Sequence, residues 1–392
     1  MKVAHLADLH LGFRQYHRQT PGGLNQREAD VANAFRAAVD GVIAERPDAV
    51  IVAGDLFHSV RPTNPAILFA FNQFARLREA LPDAPVIAIA GNHDTPRSTE
   101  TGSILGLFQS LGVDVAADHA RRFVYPRLDL SVLAVSHSAL VSAERPSLRP
   151  EGRERYQVLV LHGEVEGVFP ADRGSVEYGG ALVRPDELTA GGWSYVALGH
   201  YHVQHEVAPG VWYSGSLDYV SSNPWGELAD EAARGQRGKG WLLADLGRGK
   251  VSRRPVSLAR RILDLPAIDA RDHTAAEVDA AIAERLDSVA GGIADQVLRL
   301  VVRNIPRHVG RELDHAAIRS RKAQALHFHL DLRRPESSRE VGVGAPGRRQ
   351  TLPQVVEGYL RQRLLPGDLD REAFVKLGTD LMDQVEREWA ES

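Results

Sequence analysis

The chain has 392 residues, of which 43% are hydrophobic and 25% charged, with a net charge of −4. This is ordinary for a globular protein with room for two or three domains and a sizeable core. It has no cysteine, which excludes disulfides, thiolate zinc sites and a cysteine nucleophile, so any metal must be held by His, Asp, Glu or Asn.

The opening MKVAHLADLH reaches aspartate too soon for a secretory signal, and no apolar run approaches the roughly 18 residues of a membrane-spanning helix. No membrane association is therefore expected, and a cytoplasmic location is. Strands are predicted at 2–7, 48–53, 85–90, 130–136, 156–161 and 194–198, as continuous apolar runs suited to sheets covered on both faces. Helices fit 27–46, 64–81 and 99–111. The second follows the capping sequence Pro62-Thr63-Asn64 and carries Ile67, Phe71 and Phe74 on one face. Later strands at 204–213, 240–246 and 250–258 suit antiparallel hairpins. The order indicates a layered α/β domain over 1–258.

Near residue 259 the texture changes. A small α+β unit is expected over 259–335, a Pro/Gly/Ser/Arg linker over 336–350, and two amphipathic helices over 351–392.

The strand ends share one feature. They run into Asp8-Leu9-His10, Gly54-Asp55-Leu56-Phe57-His58, Gly91-Asn92-His93-Asp94, His162-Gly163 and Gly199-His200-Tyr201-His202. The carboxyl ends of strands in α/β sheets form one ligand-binding edge. Aspartate, neutral histidine and an asparagine carbonyl make a shell suited to manganese, iron or zinc, and there are too many such groups for one ion. A bridging aspartate between two ions is the usual arrangement for phosphoester cleavage. The glycines before Asp55, Asn92 and His200 are expected to let backbone approach the ions closely.

In this order, D-x-H, G-D, G-N-H-D, H-G and G-H-x-H resemble the signature of the calcineurin-like metallophosphoesterases. HLADLHLG, IVAGDLFHSVRP and GNHD are similar to the SbcD nucleases, the bacterial branch of the meiotic-recombination double-strand-break repair nucleases. The resemblance implies a layered sandwich of two β-sheets flanked by helices, a DNA-capping domain over 259–335, and docking of an SbcC-type coiled-coil ATPase by residues 351–392. It implies two divalent ions, Mn2+ first among them. Asp8, His10 and His202 would hold one ion and Asn92, His162 and His200 the other, with Asp55 bridging. His93 would stabilise the transition state and protonate the leaving oxygen, and His58 would engage the scissile DNA end. Asp94 is expected to orient a neighbouring histidine. His137, which follows a strand but has no counterpart in the motif set, is set aside.

The apolar faces of helices 64–81 and 99–111 suggest a homodimer. The implied activity is exonuclease on double-stranded ends and endonuclease on single strands or hairpins, in nucleoid-associated repair of double-strand breaks. The rival readings are a small-molecule phosphodiesterase or phosphatase with the same metals, and a DNA-binding regulatory subunit.

Overall fold

The computed structural model describes residues 1–96, 102–168, 181–236, 238–335, 352–362 and 370–390. Residues 1–334 form one compact unit, and the chain from Pro335 onward forms a second. The first expected helix, Gln26–Glu45, is capped by the Asn25 side chain, which accepts from the backbone N–H of Arg27 and Glu28. The second, Asn64–Ala80, is capped by Thr63 and buries Ala66, Ala70, Phe74 and Leu77. Ile67 and Phe71 lie only partly covered beside that face.

Two six-stranded sheets build the first unit. One runs in the order Lys250–Pro255, Gly240–Asp245, Lys2–Leu6, Ala49–Val52, Val86–Ile89, Val113–Ala116. Its last four strands are parallel, and the 240–255 hairpin is antiparallel at one edge. The other runs His205–Ala208, Val211–Tyr213, Tyr195–Gly199, Tyr156–His162, Leu130–Val135, Arg121–Tyr125. Its four central strands are parallel and each outer strand pairs antiparallel. The sheets meet through Val3, Ile51, Ile87 and Ile89 of one and Val132, Val158, Val160 and Tyr195 of the other. The two long helices cover the far face of the first sheet. Short helices His137–Val141 and Pro185–Thr189 cover that of the second. The central parallel strands are therefore covered by apolar groups on both faces, which explains the unbroken runs in the sequence.

Three details differ from the sequence reading. The run 204–213 breaks into two strands because Pro209-Gly210 turns the chain, with Gly210 at φ +78°. Ile104–Leu111 is a 3-10 helix, capped by Ser103 and ended by left-handed Gly112, rather than the later part of an α-helix over 99–111. A glycine at 106 weakens α-helical preference there, and residues 97–101, where that helix would begin, lie outside the described residues. Val113–Ala116 and Arg121–Tyr125 are edge strands that apolar patterning passes over, being short or led by two arginines.

Residues 262–332 form a separate three-stranded sheet, Ile262–Asp269, Val297–Arg303 and His327–Leu332, with all pairs parallel. Helices Ala275–Asp287, Arg307–Glu312 and His315–Gln324 lie in its crossovers and close its core. Its basic residues are partly neutralised within the unit, since Arg299 pairs with Asp264 and Arg321 with Asp287. The loop after His10 reaches this sheet. Tyr16 stacks on His327 at 4.1 Å between centroids, and the Arg18 guanidinium bonds the carbonyls of Ala323 and Ala325 and the carboxylate of Asp295.

In the second unit, helices Leu352–Gln362 and Arg371–Ala390 pack on each other, and Tyr359, Leu377 and Leu381 remain exposed. The expected linker 336–350 lies outside the described residues.

Candidate metal centre

The sheets present the carboxyl ends of their parallel strands at one rim, and the marked residues converge there. Asp8 and His10 follow Lys2–Leu6, Asp55 follows Ala49–Val52, and Asn92 and His93 follow Val86–Ile89. His162 ends Tyr156–His162, and His200 and His202 follow Tyr195–Gly199. Main-chain bonds stitch these ends together, with Asp8 N–H donating to Gly54 O and His10 N–H to Asp55 O, each at 3.0 Å. Carboxylates add to this: Asp8 Oδ1 ties the two sheets by accepting from His200 N at 2.8 Å, and Asp55 Oδ1 ties two loops of the first sheet by accepting from His93 N at 2.9 Å.

Tight turns make this possible. Asp8, His10, Asp55 and His200 all have positive φ, at 52°, 45°, 51° and 102°. Non-glycine residues hold such angles at a cost of about 1–3 kcal/mol each, and they persist where surrounding bonds over-determine them. Glycine serves the packing of loop on loop. A Cβ at Gly54 (φ +92°) would overlap the His162 ring, and one at Gly91 would overlap the Asp55 carboxylate. The glycines thus let the loops approach each other, which is a different use from the close approach of backbone to an ion.

Two clusters of donors result, Asp8/His10/His202 and Asp55/His162/His200. In the first, His10 Nε2 and His202 Nε2 lie 3.1 Å apart, and His10 Nε2 is 3.7 Å from Asp55 Oδ2. In the second, Asn92 Oδ1 is 2.9 Å from His162 Nε2 and 3.1 Å from His200 Nδ1, while Asp55 Oδ2 is 3.2 Å from His162 Nε2. Asp55 therefore stands between the clusters. Asp8, His10, Asp55 and His162 have no exposed surface. Asp8 Oδ2 and Asp55 Oδ2 are buried and accept no hydrogen bond among the described residues. Two buried carboxylate oxygens without donors, ringed by imidazole nitrogens and an amide oxygen, fit a pair of divalent cations.

Electrostatics of the pocket agree. Burial raises the Asp8 carboxyl, against the opposing pull of His162 and His202. Burial would also raise Asp55, but the charge of His162, and then that of His10, holds it well below the usual carboxylate range. Against burial, Asp55 in turn lifts His162 to about 9.

His93 and His58 lie at the mouth, both half-buried. His93 Nδ1 is 2.8 Å from the His58 carbonyl oxygen, and the two rings stack at 5.2 Å. The His93 ring is 4.8 Å from that of His10, and His58 Nδ1 is 3.2 Å from His10 Nδ1. A third group, His10/His58/His93, consequently borders the first cluster.

Asp94 has a different task from the one expected. Its oxygens accept from the backbone N–H of Leu56 and Phe57 at 2.9 Å and of Gly91 at 3.2 Å. It is a clamp between the two loops that carry Asp55 and Asn92. Burial, with the charge of Asp55 adding to it, pushes its carboxyl up to about 7. Ser214, in a loop after the last histidine motif, is fully buried and donates to His5 O at 2.9 Å, a packing role.

Sequence reasoning set His137 aside, yet its backbone N–H bonds Ala90 O beside the pocket. Burial, then the charge of His162, lowers its pKa to about 4. Its position after a strand was the available signal. Glu164, 3.6 Å from His200 Nε2, and Glu227, 3.5 Å from His202 Nδ1, left no comparable trace.

Residues 1–204, just over half of the chain, match the family model described as calcineurin-like phosphoesterase. Among curated proteins, the chain is 32% identical over 211 residues to the DNA double-strand break repair protein Mre11 of Sulfurisphaera tokodaii, covering 52% of this chain and 49% of that one. It is 28% identical over 254 residues to Mre11 of Saccharolobus solfataricus, covering 63% and 61%. It is 40% identical over 111 residues to Mre11 of Methanococcus maripaludis, covering 28% of each. The matches thus span between about a quarter and three-fifths of these relatives' lengths.

Proposed function

The chain belongs to the calcineurin-like phosphoesterase family, and from that premise we propose that it is a two-metal-dependent nuclease that hydrolyses phosphodiester bonds of DNA in double-strand-break repair. The observation that carries this reading is the convergence of seven donor residues from five strand ends on one buried pocket, with two carboxylate oxygens that accept no hydrogen bond among the described residues. Asp8, His10 and His202 would hold one cation and Asn92, His162 and His200 the other, with Asp55 shared. Two divalent cations, Mn2+ in this reading, supply Lewis acidity to a phosphoryl group and acidify water.

The remaining work belongs to side chains at the mouth. His93 donates Nδ1–H to the His58 carbonyl, so the imidazolium form of the ring hands its second proton, on Nε2, to the departing oxygen and is left neutral with Nδ1–H in place. That backbone acceptor also fixes the ring plane, so the proton is delivered from a set position. His58 shares the mouth and contacts the DNA end. The names of the similar proteins, all DNA double-strand break repair proteins, support DNA as substrate over a small phosphoester.

The rest of the chain is assigned on the same reading. Residues 259–335 cap the DNA over the nuclease domain 1–258. The C-terminal helices dock an SbcC-type ATPase through a face that includes exposed Tyr359, Leu377 and Leu381. Leu68 and Leu107, exposed on the outer helices, lie at a homodimer contact. No helix among the described residues is long and apolar enough to cross a membrane, and we place the activity in the cytoplasm at the nucleoid.

The test is metal analysis of the purified chain followed by assays on single- and double-stranded DNA with Mn2+ or Mg2+. The expected result is cleavage that chelation abolishes and Mn2+ restores. Turnover of nucleotides or aryl phosphates without DNA cleavage, unaffected by loss of residues 259–335, would overturn the assignment in favour of a small-molecule phosphodiesterase.

A further inference from the structure

We propose that Glu227, anchored by Lys239, is a positioning residue for His202 and sets the cation affinity of the Asp8/His10/His202 half of the pocket; this rests on the two-metal reading above. The His202 ring is used at both nitrogens. Nε2 faces His10 Nε2 at 3.1 Å inside the pocket, and Nδ1 faces Glu227 Oε1 at 3.5 Å on the opposite side. An imidazole that offers Nε2 to a cation must carry its proton on Nδ1, and a carboxylate at Nδ1 selects that tautomer and holds the ring plane.

Glu227 is itself held on all sides. It sits on helix Pro224–Ala233 and is 1% exposed. Its Oε2 accepts from Lys239 Nζ at 2.5 Å and its Oε1 from Ser221 N at 3.1 Å. Lys239 is 3% exposed, donates to the His202 carbonyl at 2.9 Å, and faces Glu231 Oε1 at 3.1 Å. It also lies 4.4 Å from the centre of the Tyr219 ring, whose hydroxyl donates to Glu231. The lysine therefore touches the backbone of the residue whose side chain its partner orients, which ties Glu227 and His202 into one rigid piece.

Glu227 and Glu231 share Lys239, and Arg253 also lies within electrostatic range of Glu231, so the group is an internally paired ionic cluster whose part is to hold the His202 ring. The helix is also pinned from outside, because the Trp225 ring is 5.5 Å from His329 and lies under Arg299 at 5.1 Å. On the other half, His162 Nδ1 bonds the neutral carbonyl of Ala53 at 2.9 Å and Glu164 Oε1 lies 3.6 Å from His200 Nε2.

The test is Mn2+ binding to the full chain by calorimetry and electron paramagnetic resonance, with the metal-free melting temperature recorded for each variant. The wild type is expected to take up two ions. Glu227→Gln is expected to weaken one of them about 10–100-fold and to leave the other unchanged. The double variant Glu227→Gln/Lys239→Met removes one acid and one base, so the pocket keeps its net charge, and it is expected to show the same loss. Glu227→Asp keeps the charge but withdraws the carboxylate by one methylene, and is expected to weaken the same ion. Recovery of wild-type affinity in the double variant would assign the effect to charge balance and overturn the proposal. Unchanged affinity in Glu227→Gln, with two ions bound to the wild type, would overturn it while leaving the two-metal reading standing. A wild-type chain that takes up no ion would overturn both.

Discussion

The two halves of the pocket reach similar donor sets by different supports. Behind Asp8/His10/His202 stands a buried ionic group, with Lys239 between Glu227 and Glu231. Behind Asn92/His162/His200 stand a backbone carbonyl and the single carboxylate of Glu164. A carbonyl fixes a tautomer through a dipole, whereas an ionised carboxylate fixes it and adds charge. On the two-metal reading proposed above, the expected consequence for the two halves is tighter retention of the cation in the first. Asp55 joins them, which makes the pocket one electrostatic unit in spite of its asymmetric walls.

The largest effect is expected where the halves meet. Asp55→Ala should remove both ions from the chain and lower DNA cleavage by about 1,000-fold or more, equivalent to about 4 kcal/mol of transition-state stabilisation. Elemental analysis with a single-turnover nuclease assay checks this, and two ions retained per chain would break the shared-ligand assignment. Next comes His93→Ala, with cleavage down about 100- to 1,000-fold, both ions retained and binding of DNA unchanged. Full activity would remove His93 as the acid.

Asp94→Ala tests whether the loops are one structure. It leaves three backbone N–H groups without their acceptor in a buried site, and each such loss costs about 1–3 kcal/mol before water enters. A fall of about 2–4 kcal/mol in unfolding free energy is expected by denaturant titration, with Asp94→Asn losing less. The smallest effect sharpens the contrast between halves. Glu164→Gln should weaken the second ion by about 10-fold, the lower end for such supports, because the His200 contact is as long as 3.6 Å. A loss equal to that of Glu227→Gln, read by the same calorimetry, would show that the ionic group adds nothing.

Much of the architecture was legible before the structure. Unbroken apolar runs such as AVIV and VIAI announce strands covered on both faces, and Pro62-Thr63-Asn64 announces a helix start. These signals are local in sequence. The edge strand Arg121–Tyr125 was not legible because its composition answers to solvent on one side. The 3-10 form of Ile104–Leu111 was not legible either, since its apolar spacing is close to that of an α-helix.

The candidate site divides along the same line. The residue types and their order at the ends of strands were readable from the sequence alone, because parallel strands of one sheet deliver their carboxyl ends to one edge whatever else the chain does. Which nitrogen of each histidine faces the pocket, which four residues take positive φ, and that Asp94 clamps two loops were decided only by tertiary structure. So was the seat of His202, where Glu227 and Lys239 arrive from 25 and 37 positions further along the chain. A motif records what must stand at a strand's end. The partners that orient it act through space, at distances of a few ångströms that no spacing in the sequence encodes.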